Sequence, residues 1–203
     1  IISEKIKKFK LIKKSKQKII QKKIKKNSKI SYEAINLKNI HKRIKIGIFK
    51  RNFPIKSKNY LINRYLKNPF YNYLIIQINK INIPNSIIVI RPIKHKERYV
   101  LRLVDYIGHE RDFINIYHTC KDLLKKYDAE YLDIYSYGIS RNTFKISGFN
   151  NRYNYPDIII PNYFEPFKKE NIDIFCAYKI KIKKKVKLFK GDGDCDRPNV
   201  AIV

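Results

Sequence analysis

The chain has 203 residues and a formal net charge of +29, and 44% of its residues are hydrophobic and 13% aromatic. This length fits one domain, or one domain with an arm, rather than a large multidomain enzyme. The apolar and aromatic content excludes wholesale disorder, and no run of eighteen uncharged apolar residues is present that would predict a transmembrane helix.

An N-terminal arm, residues 1–42, carries much of the charge. Residues 1–60 hold 21 Lys or Arg and two acids, whereas residues 91–178 hold 14 Lys or Arg and 12 acids. Ile and Leu recur at helical spacing over 3–29, which predicts a basic helix. Nucleic acid is an alternative partner that we do not favour, because Lys outnumbers Arg and the composition is typical of an A/T-rich genome. The chain begins at Ile1 and lacks Met, so we expect the C-terminal part of a longer protein.

The region after the arm predicts a strand, a helix and a hairpin. Apolar residues alternate over 43–49, which predicts a strand. A helix is predicted from Ser57 to the break at Asn68. Two Ile-rich runs, 73–78 and 87–93, are joined by a segment containing Asn and Pro, which predicts a β-hairpin.

The rest of the chain alternates strands with helices. Strands are predicted at 99–107 and 129–137, with an amphipathic helix at 110–127 between them. A short helix follows, capped by Ser140 and ended at Gly148. Further strands are predicted at 158–160, 172–182 and 185–189. This order predicts an α/β (α+β mixed) sheet with crossover helices, forming one domain over 43–190 before an acidic tail at 191–203.

The cysteines and histidines do not form a metal motif. Cys120, Cys176 and Cys195 are odd in number and in no CxxC pair, which indicates reduced thiols in a cytoplasmic protein. The four His share no ligand spacing with them, so we predict no metal. The tail string D-G-D-C-D resembles the start of a calcium loop but lacks the Gly and Glu that complete one. An acidic turn that binds the chain's own cations, a cation site and a substrate contact are its three interpretations.

The order strand–Gly, amphipathic helix, strand, short helix and S-G-F resembles the cofactor-binding half of GNAT-type acyltransferases. More specific strings are F-P-I-K-S-K-N-Y at 53–60, V-L-R-L-V-D-Y-I-G at 100–108, P-N-Y-F-E-P-F at 161–167 and D-G-D-C-D-R-P-N at 192–199. These resemble GNAT-like proteins encoded among bacterial surface-polysaccharide genes. The resemblance implies a GNAT-like sheet, acetyl-CoA or another acyl-CoA as cofactor, and a sugar or amino-sugar precursor as the acceptor. It leaves the oligomeric state open, and a non-catalytic GNAT-like scaffold is a further alternative.

The resemblance also implies where the cofactor would bind. Strand residues Val104, Tyr106 and Ile107, with Gly108, occupy the positions whose backbone would hold the acyl group. The phosphate loop of the family, Q/R-x-x-G-x-G/A, is absent after this strand. In that loop, backbone N–H groups at a helix N-terminus bind the pyrophosphate. We expect Glu110 and Asp112 to repel phosphate here.

Three residues are candidates for the base that takes a proton from the acceptor. Glu165 lies among Pro and aromatic residues, an apolar setting in which a carboxyl can act as acid or base. Asp105 lies late in its strand, where α/β folds place ligand groups, and pairing with Arg102 is the structural alternative. His109, at the strand–helix junction, is either a base of near-neutral pKa or a solvent-facing residue.

Four further residues are assigned to substrate binding: Asp133, Tyr135, Asn162 and Tyr163. Asp133 matches the position of Asp105 on the neighbouring strand, and pairing with Arg102 is again its structural alternative. Tyr163 would stack on a sugar ring or, alternatively, belong to a rigid loop that plugs the sheet. Four tyrosines at 60, 65, 71 and 73 are interpreted as core and rim of a helix–hairpin pair rather than as a base-stacking platform.

Overall fold

The fold is a mixed sheet flanked by short helices, as given by a computed structural model that describes residues 1–2, 23–181 and 184–193. The strands are β1 (Ile30–Ile35), β2 (Leu74–Lys80), β3 (Ile83–His95), β4 (Arg98–Ile107), β5 (Leu132–Ile134), β6 (Ser136–Tyr137) and β7 (Leu188–Phe189). The α-helices are α1 (Ile40–Arg43), α2 (Lys58–Leu61), α3 (Tyr117–Lys126) and α4 (Arg141–Ile146). The predicted mixed α/β class is confirmed.

The main sheet has the order β1-β2-β3-β4-β5. Its first four strands form an antiparallel meander, and β5 returns parallel to β4 after the helical crossover. The β2–β3 hairpin was predicted, and its two-residue turn has positive φ at both Ile81 and Asn82. That geometry suits the right-handed twist of the paired strands. β6 and β7 form a separate antiparallel pair.

The sheet is covered on both faces. One face packs against α3 and its neighbours through a core that includes Leu101, Leu103, Phe113 and Cys120. The other face packs against the segment 35–66, which contains α1 and α2. The apolar stripe predicted for 110–127 is therefore buried as expected, although its first part, Glu110–Ile116, is a 3-10 helix.

A β-bulge in β4 changes which face its side chains meet. Val89 pairs with Asp105 but Ile90 pairs with Leu103, so Val104 is the extra residue. Simple alternation would put Asp105 on the same face as Leu103. Instead Tyr106 joins the Leu103 core, because a bulge shifts the alternation by one residue. Asp105 is thereby turned toward the α2 side of the sheet, where its partners lie.

The strand predicted at 43–49 was wrong. Residues there form the end of α1 and a 3-10 helix, Ile46–Arg51. The buried residues Ile40, Ile44 and Ile48 are spaced by four, which is a helical period. The local alternation concealed that longer repeat.

Other predictions differ in part. β1, at Ile30–Ile35, was assigned to the basic arm but is an edge strand of the main sheet. The domain division itself stays a prediction. The strand predicted at 129–137 is interrupted between β5 and β6, and only Leu188–Phe189 of 185–189 is a strand. The predicted strand at 158–160 is absent from the described residues, as is that at 172–181. Most of the basic helix predicted at 3–29 lies outside the described residues, and the described part, residues 23–29, is not helical.

The short helices follow their caps. The Ser57 side chain accepts from the backbone N–H of Tyr60, and the Ser140 side chain accepts from that of Thr143. Both N-caps were predicted from the sequence. α2 continues as a π-helix, Ile62–Leu66. Gly148 has a φ of +78° after α4, the left-handed conformation that ends helices.

Candidate functional site

A buried ion pair joins the two parallel strands β4 and β5. Arg102 and Asp133 are register partners, and the guanidinium donates from Nε and Nη2 to the two carboxylate oxygens at 2.9 and 2.7 Å. Its remaining N–H groups donate to the carbonyls of Pro161 and Asn162, both at 2.7 Å. Burial opposes the charge on Arg102, but Asp133 outweighs it, so the pKa of Arg102 is raised above its ordinary value. Arg102 thus fastens the loop at 161–167 to the sheet.

The four residues assigned to substrate binding lie around this pair. The Lys190 ammonium donates to Asn162 Oδ1 at 2.6 Å and lies 5.4 Å from the ring centroid of Tyr135 and 6.0 Å from that of Tyr163. Arg102 lies 5.2 Å from the Tyr135 ring and completes the cluster. Asn162 is buried, and its Nδ2 has no hydrogen-bond partner within the described structure. Burial is the main cause that raises the pKa of Tyr135. The sequence therefore selected residues that do meet in space.

Asp105 belongs to a second buried cluster. Lys56 donates to one of its oxygens, and the Tyr65 hydroxyl donates to the other at 2.9 Å. Lys56 also pairs with Asp192 at 2.8 Å. Burial disfavours the charged amine of Lys56, but the two carboxylates outweigh burial and raise its pKa. Both oxygens of Asp105 are thus engaged, and its side chain is fully buried.

Glu165 lies at the rim of the same face, where its side chain is 55% exposed. The Tyr71 hydroxyl donates to it at 2.6 Å, and Arg91 pairs with it at 3.4 Å. The Arg91 guanidinium lies 3.2 Å from the Tyr71 ring centroid. Burial, together with the hydrogen bond to Glu165, raises the pKa of Tyr71 to about 12. Glu165 offers a held carboxylate that solvent and small molecules reach.

The rim and the buried cluster are joined by tyrosine rings. Tyr60, Tyr65, Tyr73 and Tyr71 make successive edge contacts, with centroids 5.0 to 6.3 Å apart. Tyr65 is buried and the other three are partly buried. The interpretation of these tyrosines as core and rim is confirmed.

The strand–helix junction at Gly108 is tightly packed. A Cβ at Gly108 would lie 2.6 Å from the Tyr106 hydroxyl, so glycine is required there. The Gly108 N–H donates to Asn52 Oδ1, and Lys187 donates to the Gly108 carbonyl at 2.6 Å. Burial lowers the pKa of Lys187 to about 8. Val104, Tyr106 and Ile107, assigned to the cofactor, are buried.

The electrostatics of this junction differ from expectation. Lys185 pairs with Glu110, and Ser140 and Thr143 also donate to that carboxylate. Burial opposes ionisation of Glu110, but these donors outweigh it and lower its pKa to about 2. The pKa of exposed His109 is lowered by partial burial and then by nearby cations. Cations near Glu110 and His109 therefore offset the negative charge there, which the sequence did not predict, and the repulsion of phosphate by Glu110 and Asp112 stays a prediction.

The strands β4 and β5 separate next to the bulge. Their pairing covers Leu101 to Leu103 and stops there. Beyond Leu103, the 3-10 turn Lys190–Asp192 lies against β4. The approach is close, since a Cβ on Gly191 would lie 3.0 Å from the Val104 carbonyl oxygen. The start of the predicted acidic tail is therefore part of this site. Asp192 binds Lys56, the Gly193 carbonyl accepts from Arg64, and the calcium-like string from residue 194 onward lies outside the described residues.

Sequence reasoning missed the cations of the site, Lys56, Arg91 and Lys190. Lysine is so abundant in this chain that the buried Lys56 and Lys190 carry no compositional signal. The one available signal was position, because Lys56 lies in the string at 53–60 and Arg91 lies in a predicted strand. No cluster of His, Cys, Asp and Glu suited to a metal ion occurs among the described residues. No helix among them is long and apolar enough to cross a membrane.

Comparisons with known proteins give one structural likeness. No family model and no curated protein matches the chain. A crystal structure of the aminoglycoside acetyltransferase meta-AAC0020, from an uncultured soil metagenomic sample and in complex with sisomicin, matches with 12% sequence identity and a TM-score of 0.43. The match covers 75% of this chain and 97% of that chain. That TM-score is too low to carry an argument, so the functional proposal rests on this chain's own topology and side chains and on the resemblance of its sequence strings.

Proposed function

We propose that this chain is the cofactor-side domain of a GNAT-like acyltransferase that acetylates an amine or hydroxyl of a sugar or amino-sugar precursor of a surface polysaccharide. The observation that carries the proposal is the separation of β4 from β5 at a β-bulge. Parallel strands that part leave the edge of β4 without a neighbouring strand, and an extended ligand would pair there in place of Asn52 and the turn Lys190–Asp192, which contact that edge now. The sugar and polysaccharide assignments rest on the sequence resemblance.

Glu165 is the base in this proposal. Its carboxylate is held by Tyr71 and Arg91 but remains half exposed, so an acceptor can reach it. Both oxygens of Asp105 are engaged in a buried cluster. In this proposal Asp105 is therefore not the base, and its carboxylate positions the side chains of Lys56 and Tyr65. A general base of this kind contributes about 10²- to 10⁴-fold to the rate.

The residues near β4 fit an acyl-CoA in two respects. The backbone of Val104 to Ile107 would hold the acyl end, and one N–H there would bind the carbonyl oxygen as negative charge develops. Arg51, Arg111 and Lys187 lie near His109, and these cations would bind phosphates in place of the backbone N–H groups of the family's loop. Acetyl-CoA supplies the thioester carbonyl that the acceptor attacks. The turn Lys190–Asp192 must give way for this ligand to lie along β4.

The acceptor would meet the cluster around Arg102 and Lys190. Tyr135 and Tyr163 offer aromatic faces of the kind that stack on sugar rings, and Asn162 Nδ2 is an unpartnered donor within the described residues. Asp133 acts in this proposal by fixing Arg102, which in turn positions the loop that carries Tyr163.

The test measures both cofactor binding and transfer. Acetyl-CoA is titrated into the chain by calorimetry, and acetylation of a panel of amino sugars is followed by mass spectrometry. We expect measurable binding and transfer, with Glu165→Gln lowering kcat by about 10²-fold or more at nearly unchanged acetyl-CoA affinity. The matched control is Glu170→Gln, an exposed acid five residues away, which should leave both unchanged.

Two results would contradict the proposal. An absence of binding heat at millimolar acetyl-CoA would remove the cofactor assignment. Equal loss of activity in the Glu165 and Glu170 variants would remove Glu165 as the base. A folded chain with neither binding nor transfer would favour the scaffold alternative.

A further inference from the structure

The segment 171–181 has the sequence pattern of a strand but lies unpaired on the surface. One face is apolar along its whole length: Ile172, Ile174, Cys176, Tyr178 and Ile180. The other face carries Phe175 and Ala177 between the polar residues at 171, 173, 179 and 181. Alternation over this length predicts a strand with one apolar face. Among the described residues, no strand pairs with this segment, and no backbone hydrogen bond of 172–181 is found.

The exposure of this segment is unusual for its composition. Phe175 is 92% exposed, and Tyr178 and Ile180 are also exposed. An accessible run of β-branched and aromatic residues with unpaired backbone groups is a template for a further strand. Among the described residues, Ile172 and Ile174 are half-buried, while the stretch from Phe175 to Ile180 is exposed.

The segment 171–181 contacts the rest of the described structure through side chains at two points. Arg152 donates to the Asp173 carboxylate at 2.7 Å, and the Tyr153 hydroxyl donates to it at 3.1 Å. Further along, the hydroxyls of Tyr178 and Tyr137 are 3.1 Å apart. These contacts present the intervening residues at a defined place on the surface.

We propose that this segment pairs with the same segment of a second copy of the chain, antiparallel and centred on Cys176. In this register Ile172 lies opposite Ile180, and Ile174 lies opposite Tyr178, so the apolar faces of both strands coincide. Asp173 of each copy lies opposite Lys179 of the other, giving two equivalent opposite-charge pairs. A shift of one residue would place apolar side chains opposite charged ones and would lose both ion pairs.

The register brings the two Cys176 thiols together across the two-fold axis. Cys176 is exposed, and directly opposite residues of antiparallel strands have Cα atoms about 4.5–5.5 Å apart. That spacing falls within the range of disulfides. Diamide would therefore oxidise the two thiols to one disulfide, taking up the two protons and two electrons that they release. Formation of this disulfide therefore tests whether the two strands pair in the proposed register.

The first experiment measures mass and cross-linking of the full chain in a Cys195→Ser background, where Cys120 is buried. Sedimentation of the reduced protein should show a concentration-dependent species of twice the 24.4 kDa chain mass. Diamide should convert it to a disulfide-linked dimer. Cys176→Ser should abolish the cross-link and keep the reversible dimer.

The second experiment reverses the charges. Lys179→Asp places acids opposite each other twice per dimer and should weaken dimerisation roughly tenfold. The triple variant Arg152→Asp, Asp173→Lys and Lys179→Asp should restore it, because it also reverses the pair that holds residue 173 to the body. The exposed Lys168→Asp is the control for net charge. A chain that stays monomeric up to about 100 µM without a Cys176 cross-link would overturn the proposal. A dimer whose affinity is the same in all charge variants would overturn the register.

Discussion

Replacing Arg102 with Met tests whether the buried pair with Asp133 holds the site together. The change removes the two N–H groups that bind the carboxylate and the two that bind the carbonyls at positions 161 and 162. The Asp133 side chain is 4% exposed, so water cannot replace the lost donors without rearrangement. The apolar part of Arg102 is retained by Met, so the loss of packing is small.

The expected loss is large for a single substitution. Removing one partner of a buried pair leaves an uncompensated charge and costs about 3–5 kcal/mol of the free energy of unfolding. For a chain of this size that lowers Tm by roughly 6–20 °C. Asp133→Leu should cost a similar amount for the same reason. The double variant should be at least about 2 kcal/mol more stable than the sum of the two losses predicts, because neither charge is then left unpaired.

Urea unfolding followed by far-UV circular dichroism and tyrosine fluorescence gives these free energies, since the chain has no Trp. The matched control is Arg43→Met, because Arg43 pairs with Glu33 at the surface and its side chain is 54% exposed. That variant should lose less than about 1 kcal/mol. If Arg102→Met is as stable as Arg43→Met, or if the double variant is simply additive, the buried pair does not organise the site.

Two further predictions concern the junction and the β6–β7 pair. The folded-state pKa of Glu110 is about 2 against an ordinary 4.5, so its contacts stabilise the fold above pH 4.5 and that contribution is lost as pH falls to 2. Glu110→Gln should therefore be less stable at pH 7 in urea unfolding, with a difference that shrinks toward pH 2, and a constant difference would contradict this. Gly138→Ala should lower the free energy of unfolding by about 2 kcal/mol or more, because its Cβ would come 1.9 Å from the Val186 carbonyl oxygen at a φ of +85°. Gly47→Ala, with no atom within 4 Å, is the control and should change stability little.

The elements with a clean period were predictable from sequence. β2, β3 and β4 follow runs of branched apolar residues, and the buried stripe of α3 follows a helical repeat. The strand prediction for 43–49 failed because a two-residue alternation and a four-residue helical repeat overlap there. Only the contact with the sheet selects the helical repeat. β1 was missed because it is an edge strand whose residues are mostly exposed or half-exposed. An edge strand forms mainly through pairing with its neighbouring strand, so its sequence can lack an apolar pattern.

The site was predictable where a residue type was scarce or where the loop was distinctive. Asp133 stands out in a chain with only 17 acids, whereas Asn162 and Tyr163 were selected for their place in a loop rich in Pro and aromatic residues, and the structure brings the three together. Lys56 and Lys190 are chemically as important but resemble the many other lysines. The bulge at Val104 is not encoded by any turn residue, so the direction of Asp105 could not be derived from alternation.

The charge of the site also differs from that of the whole chain. On the α2 side of the sheet, Lys56 meets two carboxylates, Arg102 meets one, and Arg91 meets Glu165. The whole chain has a large excess of positive charge, but in these pairs each cation has an acidic partner. Among the carboxylates of these pairs, Glu165 has the most exposed side chain. The proposed function therefore assigns acid–base chemistry to the rim, while the buried pairs fix the strands and the loop that carries Glu165.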